Sequence, residues 1–428
     1  MIFLIKRAIF IIIIFVVFIY INNQIGNYKS NNLRLSNKVY QYNFSKIRVP
    51  KRRDKNYEKD IFSDSNKELL ENYRMTFNYK GQKIVIDNIL LDDSYSTFEE
   101  RTNFNLPKDS KKKKILSKIS YITNDNLGGC SDWNCEIISD DSQNDIIDGV
   151  IVSSLTEISQ YKSNIFVGLL TQESPAHDTT GSLANNVVYP HTFISFRHDS
   201  YTSSPYGYTV HLAPESQSFK NPITENDLIN KSKSISWMVS HCQTPSNREG
   251  YVNDLKKYID VDIYGACGNK NCRRENNCND VDNEYYFYLA FENSICKDYI
   301  TEKLWYRGYN RPIIPIVLKK SIVERYAPPN SFIAVDDFKN PKELANYLKD
   351  LIKDKNKYLS YFTWMKEYKV IFLDGQNHDI AERPWGFCQF CRMLHSNINK
   401  NYTRMRNYEK WWNNSCEKKG TLVDEHIK

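Results

Sequence analysis

The densest group of chemically able side chains lies in FYLAFENSICKDYITEKL, Phe287 to Leu304, where a strand-like apolar run ends in polar residues and a helix-like run begins. Lys303 falls in the first turns of that helix, where a cation and converging backbone N–H groups can hold a phosphate. Arg248 has the same opportunity after SISWMVS. Fixed cations in a dry cleft stabilise charge developing on a departing phosphate group, although either residue alone is more often a solvated surface charge. Glu173, in QESPAH, follows the apolar run NIFVGLL at the carboxyl end of a predicted strand. A carboxylate in a cleft is able to act as general base, whereas a lone loop glutamate is ordinarily just exposed. Acidic pairs at Asp260, Asp280 and Asp336 would suit a metal–diphosphate site, but such pairs arise often by chance. There is no GxGxxG, GxxxxGK[ST], GxSxG or HExxH, so nicotinamide, P-loop, serine-hydrolase and zinc-protease chemistry lose their usual support.

The elements that must position these residues are predicted from short apolar runs bounded by polar ones. KIVIDNILL, DIIDGVIVSS from Asp145 and NIFVGLL from Asn164 suit strands buried on both faces of a parallel sheet. From Ser234 the order is SISWMVS, helix-like REGYVNDLKKYI, VDIYG, YYFYLAFEN, helix-like ITEKLWYRGY, RPIIPIVL and SFIAVDDF. This alternation predicts doubly wound α/β halves with a cleft between them, binding ligands at the carboxyl ends of their strands. Pro341 to Tyr368 reads as helical, with Pro in the first turn and Leu344, Leu348 and Leu351 at helical spacing.

The chain has 428 residues, with 41% hydrophobic and 25% charged and a mean hydropathy of −0.60, which excludes a collagenous, mostly disordered or multispanning protein. The net charge of +7 is carried by the first 60 residues, where 12 Lys and Arg face 3 Asp and Glu. The remainder has no basic footprint for nucleic acid. Residues 8–21 form an apolar run after Lys6 and Arg7 and predict a signal anchor over residues 8–22; the cations place residues 1–7 in the cytoplasm and the rest in the lumen. Residues 23–74, polar and basic, read as a stem. All ten cysteines lie between Cys130 and Cys416, which in a lumenal domain predicts disulfides. Cys388-x-x-Cys391 has no partner motif at metal spacing, so disulfides are favoured over zinc. Sequons stand at Asn43, Asn230, Asn401 and Asn413.

The polar cluster carries a resemblance. Phe291, Glu292 and Asn293, followed by Asp298, Tyr299, Thr301, Glu302 and Lys303, match the FEN and DYxTEK signature of the α1,3-fucosyltransferases, which move fucose from GDP-fucose to GlcNAc-containing glycans with inversion. The similarity extends from about Met75 to Cys391, through QESPAH, RHDS at Arg197, PYG at Pro205, WMVSHC, Ser246 to Arg248, VDIYG, PIIPIVL and VDDF. It departs at HTFISFRHDSY, where many relatives carry Phe-Asn-Trp-Thr, on the acceptor side.

The resemblance implies a GT-B-like α/β fold with two Rossmann-like domains: residues 75–230 on the acceptor side, 231–380 binding GDP-fucose, and 381–428 returning to the first. It implies that Arg248 and Lys303 hold the diphosphate, that Asn293, Tyr299 and Glu302 line the nucleotide-sugar pocket, and that Glu173 is the base. No obligatory metal is implied; a divalent ion would at most stimulate. It also implies that Cys388 and Cys391 pair with Cys130 and Cys135, and Cys242 with Cys267. The insert YGACGNKNCRRENNC, with Cys272 and Cys278, resembles invertebrate core-type members, pointing to the innermost N-glycan GlcNAc as acceptor. The expectation is a single-pass type II Golgi membrane enzyme acting on glycoprotein N-glycans. Its rivals are a Lewis-type enzyme using peripheral lactosamine and a tethered sugar-binding protein without activity.

Overall fold

Among the described residues every strand between Lys113 and Ala334 runs parallel to its neighbours except Gly207–Leu212, which joins a separate antiparallel sheet. The computed structural model describes residues 74–92, 96–106, 108–140, 146–161, 165–177, 189–270, 282–396 and 408–427. The predicted anchor, most of the stem, the sequons at Asn43 and Asn401, Asp280, and Cys272 and Cys278 lie outside them. Among the described residues no helix is long and apolar enough to cross a membrane.

In chain order the strands are β1 (Met75–Tyr79), β2 (Gln82–Ile89), β3 (Lys113–Ser117), β4 (Cys135–Ile138), β5 (Gly149–Val152), β6 (Phe166–Leu170), β7 (Thr192–Ile194), β8 (Gly207–Leu212), β9 (Lys233–Met238), β10 (Val261–Tyr264), β11 (Tyr285–Leu289), β12 (Ile314–Val317), β13 (Ile333–Ala334) and β14 (Tyr368–Phe372). One five-stranded sheet has the order β4-β3-β5-β6-β7 and the other β10-β9-β11-β12-β13, all pairs parallel. Each is the doubly wound order 2-1-3-4-5, whose switch point falls between the first and third strands. In the second sheet that point is β9/β11, so residues following those two strands face one crevice.

The runs that predicted buried strands are buried: β5 and β12 throughout and β6 over Phe166 to Leu169. KIVIDNILL is corrected. It forms β2 in a separate antiparallel sheet, β1-β2-β8-β14, and exposes Gln82 and Lys83 at its start. The predicted helix from Pro341 to Tyr368 is corrected too. Helix α2 covers Pro341–Lys353, opened by Asn340, whose side chain accepts from Glu343 N at 3.0 Å. It buries Leu344, Leu348 and Leu351, and truncating one such Leu to Ala costs about 2–5 kcal/mol. Asp354 then ends it and caps Lys355–Ser360, and Tyr368 begins β14. The return to the antiparallel sheet thus starts well before residue 381.

Helix α3 (Gly386–His395) fastens the C-terminal part to the first sheet. Phe390 is fully buried there, and a Cβ added to Gly149 or Gly168 would stand 2.8 or 2.7 Å from its ring. Disulfides Cys130–Cys388 and Cys135–Cys391 flank that ring, and Cys242–Cys267 closes a loop after β9. The first long loop to close contributes ~5 kcal/mol in chain-entropy terms, its neighbour less. A further disulfide, Cys296–Cys416, ties the chain end to the loop after β11. Sequon residues Asn230 and Asn413 are exposed.

Candidate active site

Glu173 comes from the first sheet, in the loop after β6. Its Oε1 accepts from its neighbour Ser174 N at 2.8 Å, from Tyr299 OH at 2.6 Å and from Asn293 Nδ2 at 3.4 Å. Among the described residues its Oε2 has no hydrogen-bond partner, so one oxygen is anchored and the other is open to take a proton. Tyr299 is 4% exposed, and burial, followed by the fields of Glu292, Tyr206 and Glu173, raises its pKa well above the ordinary phenol range. It therefore stays protonated and donates. A second link, Ser294 Oγ to Ser174 Oγ at 2.6 Å, is fully buried.

The loop from Ala290 to Thr301 that carries these groups is cross-braced. Ser246 N and Oγ donate to Asn293 O and Glu292 O at 2.9 and 2.8 Å, joining it to the segment after β9. Asp298 adopts a left-handed backbone (φ 62°), a conformation Asp and Asn tolerate better than most residues. Its Oδ1 accepts from Tyr326 OH at 2.8 Å and its Oδ2 from His198 N at 3.0 Å. Next to it Arg197 grips Asp199 through Nε and Nη2 at 2.8 and 2.6 Å, and Lys297 Nζ reaches Asp199 at 2.7 Å. RHDS and KDY, separate motifs in the sequence, are thus one ionic cluster.

The two predicted diphosphate cations are both largely buried. Lys303 Nζ lies 2.9 Å from Glu292 Oε2, 2.8 Å from Thr301 Oγ1 and 3.3 Å from Glu302 Oε1. Burial works to lower its pKa, but the two glutamates outweigh burial and raise it, so the ammonium is held charged. Burial conversely raises the Glu292 pKa, against the pull of Lys303. The expected helix N-terminus is corrected: Lys303–Gly308 is a six-residue π-helical turn, and Thr301 N donates to Glu292 Oε1 at 2.8 Å instead of facing outward. Glu302 is about half exposed. Arg248 opens α1 (Arg248–Leu255) after Asn247, itself left-handed. Its guanidinium, 3% exposed, donates from Nη1 to Phe291 O at 2.6 Å and from Nη2 to His241 O at 3.1 Å, which binds the β9 and β11 loops together at the switch point.

His177 stands near Glu173, its ring 5.2 Å from that of His241 and its Nε2 buried without a partner among the described residues. Burial lowers its pKa, so it is neutral at physiological pH. Two carboxylates of the acidic pairs are engaged elsewhere: Asp262, beside Asp260, accepts from Lys270 and Tyr285, both at 2.5 Å, and Asp336 accepts from Lys320 N at 2.8 Å. Among the described residues the one grouping of metal-binding residue types, Cys135, Cys391 and His395, contains a disulfide. Sequence reasoning assigned no role to Glu292, though its place beside Asn293 in the same motif was the available signal. Nothing in the spacing pointed to Cys296–Cys416.

A site that offers one open carboxylate oxygen against a pair of buried cations, at the switch point of a doubly wound sheet, has the parts of a nucleotide-sugar transferase. The chain belongs to glycosyltransferase family 10, the fucosyltransferases, whose C-terminal family model matches residues 228–411. It is 42% identical over 356 residues to an α1,3-fucosyltransferase of Caenorhabditis elegans, covering 82% of this chain and 81% of that protein. It is 39% identical over 229 residues to a Drosophila melanogaster glycoprotein 3-α-L-fucosyltransferase, covering 52% of this chain and 42% of that one. A crystal structure of an α1,3-fucosyltransferase is similar at 19% identity, covering 70% of this chain and 95% of that one with a TM-score of 0.45.

Proposed function

We propose that this protein transfers L-fucose from GDP-fucose in α1,3 linkage, with inversion, to GlcNAc of N-glycans, the innermost GlcNAc being the acceptor. The observation that carries the mechanism is the contact of Glu173 with Tyr299 and Asn293, which joins a base on one sheet to the donor signature on the other. Glu173 Oε2 takes the proton of the acceptor hydroxyl as that oxygen attacks the anomeric carbon, and the carbon–oxygen bond to the diphosphate breaks. Lys303 and Arg248 offset the charge gained by the leaving GDP. The relatives' names support the α1,3 linkage and the glycoprotein acceptor.

The wider reading is a two-domain GT-B arrangement, an N-terminal signal anchor at residues 8–22, type II topology and a Golgi location, supported by the paired 2-1-3-4-5 sheets, the apolar run after Lys6 and Arg7, and the disulfides. Glycosidase-sensitive, protease-protected chains in microsomes are the expected outcome; unglycosylated chains digested without detergent would reverse the topology. No divalent metal is obligatory, since the two cations already serve the diphosphate, and activity that EDTA abolishes and Mn²⁺ restores would overturn that.

The function itself is tested by incubating the protein with GDP-fucose and a panel holding an N-glycan core, a lactosamine and free GlcNAc, with linkage read by NMR. Transfer to the core glycan is expected. Transfer to lactosamine alone would make it a Lewis-type enzyme, and donor binding without transfer to any acceptor would leave a sugar-binding protein.

A further inference from the structure

A cavity of about 310 Å³ opens beside the catalytic loop and belongs to none of the roles described above. Its walls come from three places: Ile295 and Lys297 on the loop after β11, Ser321 and Arg325 after β12, and Ser415 and Glu417 on the C-terminal segment. The third wall is fixed in place. Cys296 is bonded to Cys416, Lys297 N donates to Ser415 O at 2.9 Å, and Glu417 N donates to Ile295 O at 2.8 Å. The returning chain end therefore builds the cavity as a stretch of sheet-like pairing rather than as a loose tail. Ile295 is two residues from Asn293, so their Cα atoms are at most about 7 Å apart, and Asn293 contacts Glu173.

The charges around this cavity are matched in pairs. Lys297 lies 2.7 Å from Asp199, Arg325 lies 3.1 Å from Asp92, and Lys319 is paired with Glu417. A ligand that drew Lys297 or Arg325 away would strand Asp199 or Asp92, whose carboxylates are nine-tenths buried. A neutral polyhydroxylated ligand meets no such cost. Lysine and arginine keep unused N–H donors after one ion pair and each carboxylate keeps unused lone pairs, so hydroxyl groups can accept from one member and donate to the other. Ile295 and Ile322 supply apolar surface for the C–H faces of a sugar ring.

We propose that this cavity is a glycan subsite that holds the sugars lying beyond the fucosylated residue, with the disulfide-anchored C-terminal segment as its outer wall. The identity of the glycan rests on the function proposed above; the subsite itself does not. Its test is therefore a binding measurement on the full-length, detergent-solubilised protein with GDP present. Trimannosyl-chitobiose and chitobiose are titrated separately into the wild type and Ser321→Trp, which fills the cavity from an exposed position on its rim. The expected result is that the variant binds the mannose-bearing glycan about tenfold more weakly, a change of about 1.4 kcal/mol, with a clearly smaller effect on chitobiose. A second measurement needs no variant: amide exchange over residues 319–326 of the wild type slows with the longer glycan and not with chitobiose. Equal affinity of wild type and variant for the longer glycan, unaltered exchange, or competitive displacement of that glycan by inorganic phosphate would each overturn the subsite, the last by making it an anion site. Failure of the transfer reading would appear elsewhere, as absence of fucosylated product.

Discussion

The Tyr299 hydroxyl and the Glu173 carboxylate, 126 positions apart in the chain, meet at 2.6 Å. The phenol donates to the same oxygen that Ser174 N occupies, so among the described residues the carboxylate is turned with its other oxygen free. A general base needs this: it must present a lone pair at hydrogen-bond distance to the proton it removes, and its orientation is worth as much as its basicity.

Glu173→Gln keeps size and shape but cannot take the proton. Transfer is expected to fall by about 10²- to 10⁴-fold, with GDP-fucose affinity measured calorimetrically close to wild type. Tyr299→Phe removes one hydrogen bond to a charged group, roughly 1.5–3 kcal/mol, and should lower kcat about 10- to 100-fold. A Glu173→Gln enzyme at near wild-type rate would move the base to His177. Asp199 could not take that place, because Arg197 and Lys297 occupy its carboxylate.

Besides its proposed contact with the diphosphate, Lys303 neutralises Glu292 in a site where that carboxylate is largely buried. Lys303→Ala is expected to abolish detectable GDP-fucose binding and also to destabilise the fold by about 3 kcal/mol, the cost typical of stranding one partner of a buried pair. The double variant Lys303→Met, Glu292→Gln should recover thermal stability but not donor binding. Arg248→Ala should lose the donor as well. Unchanged donor kinetics in both single variants would remove the diphosphate assignment.

Much of this site could be read from the sequence because its residues come in short local motifs: FEN and DYxTEK flank one loop, and ESP follows one strand. The parallel sheets were legible for the same reason, since a strand buried on both faces is an uninterrupted apolar run such as GVIV. What escaped was non-local. The antiparallel sheet depends on β8 and β14 pairing from His211 to Tyr368, and Tyr-Lys-Val-Ile-Phe follows a helix too closely to stand out from it. Lys303 looked like a phosphate ligand at a helix end; that Glu292 would claim both its ammonium and the Thr301 N–H depends on a loop folding back over nine residues. Cys296 and Cys416 carry no spacing rule at all.

Phe390 is wedged between two strands only because Gly149 and Gly168 lack side chains. Gly168→Ala places a methyl group 2.7 Å from the ring in a core that cannot expand, and should cost roughly 1–3 kcal/mol. Phe390→Leu alone also destabilises, by opening space. Together the two changes should be less harmful than their sum, because the smaller residue makes room for the methyl group. Chemical denaturation of the four proteins checks this, and strict additivity would mean that the contact does not govern packing at α3.

Asp199 offers a test by pH. Burial alone would raise its carboxyl, but the Arg197 guanidinium, bonded through two nitrogens, and then Lys297 hold it below the ordinary carboxylate range. A folded-state pKa below the unfolded one means that the stability this group supplies is fully present above the unfolded value, ~3.9. It is lost as pH falls through the folded value, because protons then bind the native state too. At pH 7, Asp199→Asn takes the bidentate carboxylate from Arg197, which is 3% exposed and keeps the more distant Asp298 at 3.7 Å, and should cost about 3 kcal/mol. Lowering the pH protonates Asp199 in the wild type and makes it resemble the variant, so the stability gap should narrow below about pH 4. Urea melts of both proteins between pH 7 and pH 3 measure the gap directly. A gap that stayed constant over that range would show that Asp199 contributes packing rather than charge, and that the cluster joining the RHDS and KDY segments is not held together electrostatically.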